Sequence, residues 1–356
     1  MPDDIRRQRG TNDENPPVDA DPYTEFLHHD LPSYVGLQTF QRVPVVYDDV
    51  LVERRPDVAI IGAPYDEGTS HRPGARFGPG AIRAATYHSG SVNALQYGIQ
   101  PFEWLDVVDA GDAPVVPANP DRAHEVIRRK VAAVLDAGAI PIVLGGDHSI
   151  TYPTASAVAA HVAPRTLGIV HFDAHADTAA TTWGSLRSHG TPMRRLIESG
   201  AVAGRNFVQV GLRGYWPPPE TLEWMRDNGL RSHFMTEIEA RGAEAVVADA
   251  IAEALDGPDA VYLSIDIDVI DPGMAPGTGT PEPGGLLSRE LLRAVRQVVM
   301  AVELAGMDVV EVSPAYDVAE ITAAAAHRCV MEALSSLAAR RREAGGTPRH
   351  TWAAGA

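Results

Sequence analysis

Six side chains able to ligate a metal lie in three short blocks of this chain: Gly-Gly-Asp-His-Ser at Gly145 to Ser149, Asp-Ala-His-Ala-Asp at Asp173 to Asp177, and Ser-Ile-Asp-Ile-Asp at Ser264 to Asp268. The candidates are His148, Asp173, His175, Asp177, Asp266 and Asp268. Along an extended segment, side chains two apart point the same way, so Asp173, His175 and Asp177 converge, as do Asp266 and Asp268. Carboxylate oxygen with some imidazole suits Mn²⁺, Fe²⁺, Co²⁺ or Zn²⁺ better than Ca²⁺, and the lack of thiolates argues against a structural zinc knot. Carboxylates can bridge two ions about 3.5–4 Å apart, which makes a dinuclear hydrolase site the first inference. A lone Asp-x-His-x-Asp could equally be a salt-bridged turn. Here, however, five aspartates (Asp147, Asp173, Asp177, Asp266, Asp268) crowd three apolar strand ends with almost no Lys or Arg inside the blocks. Burying unpaired acids is costly, so the balancing cations must come from elsewhere, and metal is the simplest source.

The elements that must position these ligands are legible from the flanking runs. Each block follows an apolar segment (Ile140 to Leu144, Leu167 to Phe172, Val261 to Ile265), which reads as the carboxyl end of a buried parallel strand. Strands are expected at Val58 to Gly62, Leu105 to Val108, Ile140 to Leu144, Leu167 to Phe172, Phe207 to Gly211, Val261 to Ile267 and Met307 to Val312. Helices are expected at Asp121 to Ala137, Glu239 to Leu255, Arg289 to Leu304 and Glu320 to Arg342. Repeated βα units imply a three-layer α/β/α domain with a mostly parallel sheet. The expected organisation is an N-terminal extension, 1–55, partly flexible; one catalytic domain, 56–339; and a flexible tail, 340–356. Within the extension, the apolar segment Leu31 to Tyr47 is expected to pack on a neighbouring surface or subunit.

Composition narrows the function classes. A net charge of −17 speaks against nucleic acid and anionic membranes, and it is compatible with a cationic small substrate. The single cysteine, Cys329, allows no intrachain disulfide and reads as a small buried hydrophobe. No apolar stretch reaches membrane-spanning length and the first residues lack a signal-peptide core, so a cytoplasmic enzyme is expected.

From about Asp57 to Leu337 the chain also resembles the ureohydrolases: arginase, agmatinase, guanidinobutyrase, proclavaminate amidinohydrolase and their relatives. The resemblance lies in Gly-Ala-Pro-Tyr-Asp-Glu-Gly-Thr-Ser at Gly62 to Ser70, Arg-Pro-Gly-Ala-Arg-Phe-Gly-Pro at Arg72 to Pro79, and the three ligand blocks. It continues in Ala-Pro-Gly-Thr-Gly-Thr-Pro-Glu-Pro-Gly-Gly at Ala275 to Gly285 and Glu-Val-Ser-Pro-Ala-Tyr-Asp at Glu311 to Asp317. It implies an arginase-like fold, two Mn²⁺ per chain, with Ni²⁺ or Co²⁺ not excluded, and a homo-oligomer, trimer or hexamer. His148, Asp173, Asp177 and Asp266 would surround one ion, and His175, Asp173, Asp266 and Asp268 the other. Glu311 resembles the family's carboxylate that pairs with the guanidinium, and His189 its proton-shuttling histidine. Their bland alternatives are a core-paired glutamate and an ordinary loop histidine.

The Gly/Pro segment looks most like the agmatinase branch. The segment Thr178 to Arg187 holds no Asn of the kind arginases use to grip the amino-acid end of arginine. Agmatine, cleaved to putrescine and urea, is therefore the leading expectation. Guanidinobutyrate or another guanidino acid is the alternative, since His71, Arg72, Arg76 or Arg187 could grip a carboxylate, and guanidine itself also remains open. A catalytically silent homologue and a deacetylase are the remaining rivals; neither accounts for a complete ligand pattern of this kind.

Overall fold

The computed structural model describes residues 34–87 and 93–349, so expectations for residues 1–33 and 350–356 lie outside the described residues. Eight strands, β1 (Val58–Ala63), β2 (Val107–Asp112), β3 (Ile140–Gly145), β4 (Leu167–Phe172), β5 (Phe207–Leu212), β6 (Arg231–Phe234), β7 (Ala260–Asp266) and β8 (Glu303–Val310), form one sheet. Their order is β2-β1-β3-β8-β7-β4-β5-β6, and every pairing is parallel. The central strands are apolar throughout because both faces are covered. In β1, Val58 and Ile60 enter one core while Ala59 and Ile61 enter the other. Each such buried Ile or Val stabilises the fold by roughly 1.5–3 kcal/mol relative to exposure.

The helices are α1 (Asp48–Arg54), α2 (Gly78–Ala84), α3 (Pro101–Trp104), α4 (Pro120–Asp136), α5 (Thr151–Val162), α6 (Pro192–Glu198), α7 (Pro219–Asp227), α8 (Met235–Arg241), α9 (Ala243–Ala254), α10 (Ser288–Ala301) and α11 (Ile321–Glu343). α1, α4, α5 and α6 cover one face through Leu51, Ile127, Val131, Val158 and Leu196. α2, α8, α9, α10 and α11 cover the other through Ile82, Ile238, Val247, Val295 and Val330. The result is the three-layer α/β/α arrangement. No described helix is long and apolar enough to cross a membrane.

Several elements differ from expectation. β2 runs to Asp112 instead of stopping at Val108, because Asp109 is a tolerated buried acid: its carboxylate takes both Arg83 Nε (2.8 Å) and Nη2 (2.9 Å). The helix expected over Glu239 to Leu255 is two helices, α8 and α9, broken at Gly242, whose φ of 85° leaves the helical region. α10 ends at Ala301, and β8 starts at Glu303, earlier than Met307. β6 is a four-residue polar edge strand with no apolar run to announce it.

The described part of the Leu31 to Tyr47 segment packs largely on its own domain. Phe40 is fully buried, stacks on His327 at 4.4 Å, and donates its N–H to Asp109 Oδ2 (2.9 Å). Tyr34, Leu37 and Tyr47 stay exposed. At the other end, the boundary drawn at residue 340 falls inside α11. Arg340 donates to Val299 O (3.0 Å), and Arg341 and Arg349 both reach Asp57 Oδ1, at 3.0 and 2.6 Å.

Candidate metal centre and active site

The four central strands β3, β8, β7 and β4 end side by side, and each delivers chemistry from its carboxyl end. β3 leads into Gly146, Asp147 and His148; β4 into Asp173; β7 ends in Asp266; β8 is followed by Glu311. The turn after β3 needs glycine: a Cβ on Gly146 would come within 1.9 Å of Tyr65 O. Glu311 leaves the strand at φ 65°, a left-handed conformation unusual for glutamate.

His148 Nδ1 has Asp173 Oδ2, Asp177 Oδ2 and Asp266 Oδ2 all at 3.1 Å. This nitrogen is buried and makes no hydrogen bond in the described structure. Its other nitrogen, Nε2, lies 3.0 Å from Ser264 Oγ, which donates in turn to Asp308 Oδ1 (2.7 Å). Asp308 also accepts from Thr151 Oγ1 and Tyr262 OH. This chain fixes the proton on Nε2 and leaves the Nδ1 lone pair aimed among three carboxylates, the orientation a metal ligand needs.

The second group lies beside the first. His175 Nδ1 is 3.1 Å from Asp268 Oδ2 and 3.5 Å from Asp173 Oδ1. Asp173 therefore faces both halves, Oδ2 toward His148 and Oδ1 toward His175. Asp266 points to His148, while its Oδ1 accepts the Asp268 N–H (2.8 Å). The charge balance without cations is poor. Burial, with Asp268 and Asp173 close by, holds the Asp266 carboxyl well above the usual range. Burial opposes charge on His148, but its three carboxylate neighbours outweigh that and raise it well above an ordinary histidine. A buried lone pair with no donor among the described residues, facing three carboxylates of which Asp266 is pushed toward its protonated form, fits a pair of divalent ions.

His189 and Glu311 adjoin this cluster. His189 Nε2 accepts the Ser70 N–H (3.0 Å) and lies 2.7 Å from Ser70 Oγ, while Nδ1 is 2.9 Å from Glu311 Oε1. An amide can only donate, so the neutral ring carries its lone pair on Nε2 and donates Nδ1–H to Glu311. Burial opposes a second proton, but Glu311, Asp177 and Asp147 favour it, and the ring is raised to about 9. Glu311 Oε1 also accepts the His148 N–H (2.8 Å), whereas Oε2 is buried with no partner among the described residues. Gly279 leaves room there, since a Cβ on it would lie 3.4 Å from that oxygen. The rest of the Ala275 to Gly285 loop is tight folding: Cβ atoms on Gly277 and Gly285 would strike Asp317 and Asp271 N.

A pocket of about 430 Å³ opens onto His175, Asp177, Asp266 and His189, with Ser70, Thr181, Thr182, Trp183, Gly190, Trp216 and Thr280 completing its walls. Among the described residues, no Lys or Arg lines it. Larger hollows of about 600 Å³, beside Gln41 and Glu332, and about 710 Å³, between α9 and α10, lie away from these residues. Of the side chains expected to be able to grip a carboxylate, Arg76 pairs with Asp66, Arg187 with Asp121 (2.9 Å), and Arg72 lies over Tyr316 (5.2 Å).

The sequence profile of the arginase family matches residues 56–335. The chain belongs to the arginase family. It is 43% identical over 296 residues to proclavaminate amidinohydrolase of Streptomyces clavuligerus, covering 83% of this chain and 91% of that one. It is 38% identical to guanidinopropionase of Pseudomonas aeruginosa, over 92% and 98% of the two chains, and 40% identical to mitochondrial agmatinase of Gallus gallus, over 79% and 81%. The solved structure of the Streptomyces amidinohydrolase superposes with a TM-score of 0.80 at 38% identity, covering 87% of this chain and all of that one. The fold is that of the arginase family, and the protein is a hydrolase acting on guanidino or amidino groups.

Some of this family site escaped the sequence reading. His171 Nε2 lies 2.9 Å from Asp173 Oδ2 and its Nδ1 faces Gln209. It precedes Asp173 by two residues, so the same period of two that grouped the ligands also points to it. Ser264 stands two before Asp266 by the same rule. Asp308 and Ser70 carry no such signal. Asp147 shapes its loop: it accepts from Gly68 N (2.7 Å) and Ser149 N (2.9 Å), and burial, with Glu311 nearby, raises it to about 7.

Proposed function

We propose that this arginase-family hydrolase is a dimanganese amidinohydrolase that cleaves agmatine to putrescine and urea. His148, Asp173, Asp177 and Asp266 would hold one Mn²⁺, and His175, Asp173, Asp266 and Asp268 the other, with Ni²⁺ or Co²⁺ able to occupy the same ligand set. Bound there, such ions lower the pKa of water and supply the nucleophile near neutral pH. Glu311 accepts N–H groups of the planar guanidinium on its unpartnered Oε2 and so orients the central carbon toward the ligand cluster. His189 takes up a second proton at Nε2, giving up the Ser70 N–H bond, and delivers it to the departing amine as the C–N bond breaks. Asp308 and Ser264 keep His148 in the tautomer that ligates.

The single observation carrying the choice of agmatine is the pocket lining: acids, imidazoles, threonines and two tryptophans, without a Lys or Arg among the described residues. A second positive charge on the substrate is favoured there, and a carboxylate finds no partner. A second reading, hydrolysis of a guanidino acid, draws on the similarity to proteins named proclavaminate amidinohydrolase and guanidinopropionase. Urea release by Mn²⁺-loaded protein from agmatine, 4-guanidinobutanoate, 3-guanidinopropanoate, guanidine and arginine separates the two. The expected result is highest kcat/KM on agmatine. A guanidino acid more than about tenfold better, or about 1.4 kcal/mol in transition-state binding, selects the second reading.

A further inference from the structure

Two tryptophans line the pocket and take no part in the hydrolytic chemistry. Trp183 is 86% exposed and Trp216 48% exposed, on separate loops, so core packing does not account for either. Trp183 is held at φ 46° and Gly184 at φ 81°. They are the central pair of a two-residue turn closed by Thr182 N–H to Ser185 O (3.0 Å) and Ser185 N–H to Thr182 O (2.9 Å). Such a turn needs positive φ at both central positions, which Asn or Gly adopt readily and a bulky aromatic does not. A strained, solvent-facing indole beside a reacting centre points to a ligand contact.

The surroundings define what these rings would contact. Among the described residues no Lys or Arg lines the pocket, and Arg187, on the same loop as Trp183, is drawn away to Asp121 and the ring of Tyr152. Asp177 and Asp266 lie on the inner wall. An indole face attracts a cation, most strongly where water is partly excluded. We propose that Trp183 and Trp216 form an aromatic gate that holds a distal ammonium group of the substrate and sets the preference for a cationic guanidino compound over a guanidino acid. This rests on the amidinohydrolase reading above and adds to it the residues that choose the substrate's tail.

The test compares wild type, Trp183→Ala, Trp216→Ala and Trp183→Phe, all Mn²⁺-loaded, on agmatine, on N-butylguanidine, which has the same chain without the ammonium, and on 4-guanidinobutanoate. Wild type prefers agmatine to butylguanidine, and each Ala variant reduces that preference about tenfold, equivalent to about 1.4 kcal/mol, chiefly through KM. Trp183→Phe keeps most of it. Equal losses on both substrates, or an unmoved preference, overturn the gate. A wild type that favours 4-guanidinobutanoate also overturns it and leaves the hydrolase reading standing. Calorimetric titration of the same proteins with agmatine decides the matter without turnover. Binding about tenfold weaker in the Ala variants supports the gate even if no compound releases urea, in which case only the hydrolase reading falls; equal binding overturns the gate.

Discussion

His148 Nδ1 is the residue-scale key to this protein: a fully buried nitrogen with three carboxylate oxygens at 3.1 Å and no hydrogen bond among the described residues. A protein does not retain such an arrangement for stability, because grouped buried acids repel and are costly to desolvate. Two variants separate the roles around it. Asp266→Asn removes one of the three carboxylates and is expected to lose at least one Mn²⁺ per chain together with nearly all turnover. His189→Asn is expected to keep both ions while turnover falls about 10²–10⁴-fold, the usual effect of lost acid/base catalysis. Elemental analysis beside urea assays checks both. Unchanged metal in the first, or wild-type turnover in the second, would remove that residue from the site. The six candidate ligands were legible because acids and imidazoles at a period of two stand out after apolar strands. Asp308 was not, because it lies inside a strand whose apolar neighbours mask it and its meaning comes only from partners across the sheet; His171 carried the same period-of-two signal but looked like part of the strand interior.

At the scale of elements, the long helix α11 is tied to the N-terminal segment through His327. This ring stacks on Phe40, and its nitrogens face Ile82 O (2.9 Å) and Gln41 Oε1 (3.1 Å). Burial lowers its pKa from 6.5 to about 4. The unfolded chain therefore binds the proton more readily, and stability drops as pH falls below about 6.5, levelling off near 4. Between pH 7 and 5 this group costs up to about 2 kcal/mol. Urea denaturation at the two pH values is expected to show a loss smaller by about that amount in His327→Asn than in wild type, whatever the variant's absolute stability. Equal losses would mean that His327 does not titrate in this way. The central strands and α4, α10 and α11 were readable within a few residues, since apolar runs and helical periodicity survive in them. What was hidden depended on tertiary partners. Asp109 looked like a strand terminator until Arg83 paired with it. Gly242 looked tolerable inside a helix until its positive φ split α8 from α9, and β6 is a strand only because β5 offers it an edge.

At the scale of the whole molecule, a chain with a net charge of −17 presents exposed Tyr34, Leu37 and Tyr47 beside the segment that packs on β2. Exposed apolar side chains are common at subunit contacts, and a homo-oligomer, trimer or hexamer, is the expected state. Light scattering at micromolar concentration should give a multiple of the 38.0 kDa chain mass, and the monomer value would contradict it. The arginase-family fold and the convergence of four strand ends make the metal-dependent cleavage of a guanidino group the central claim. Its most direct test is to strip the protein with chelator, titrate Mn²⁺ back, and follow urea and putrescine released from agmatine. The account predicts no product without metal, equal amounts of urea and putrescine with it, and a rate that saturates at two equivalents of Mn²⁺ per chain. Turnover in the stripped protein, or full activity at a single equivalent, would contradict it.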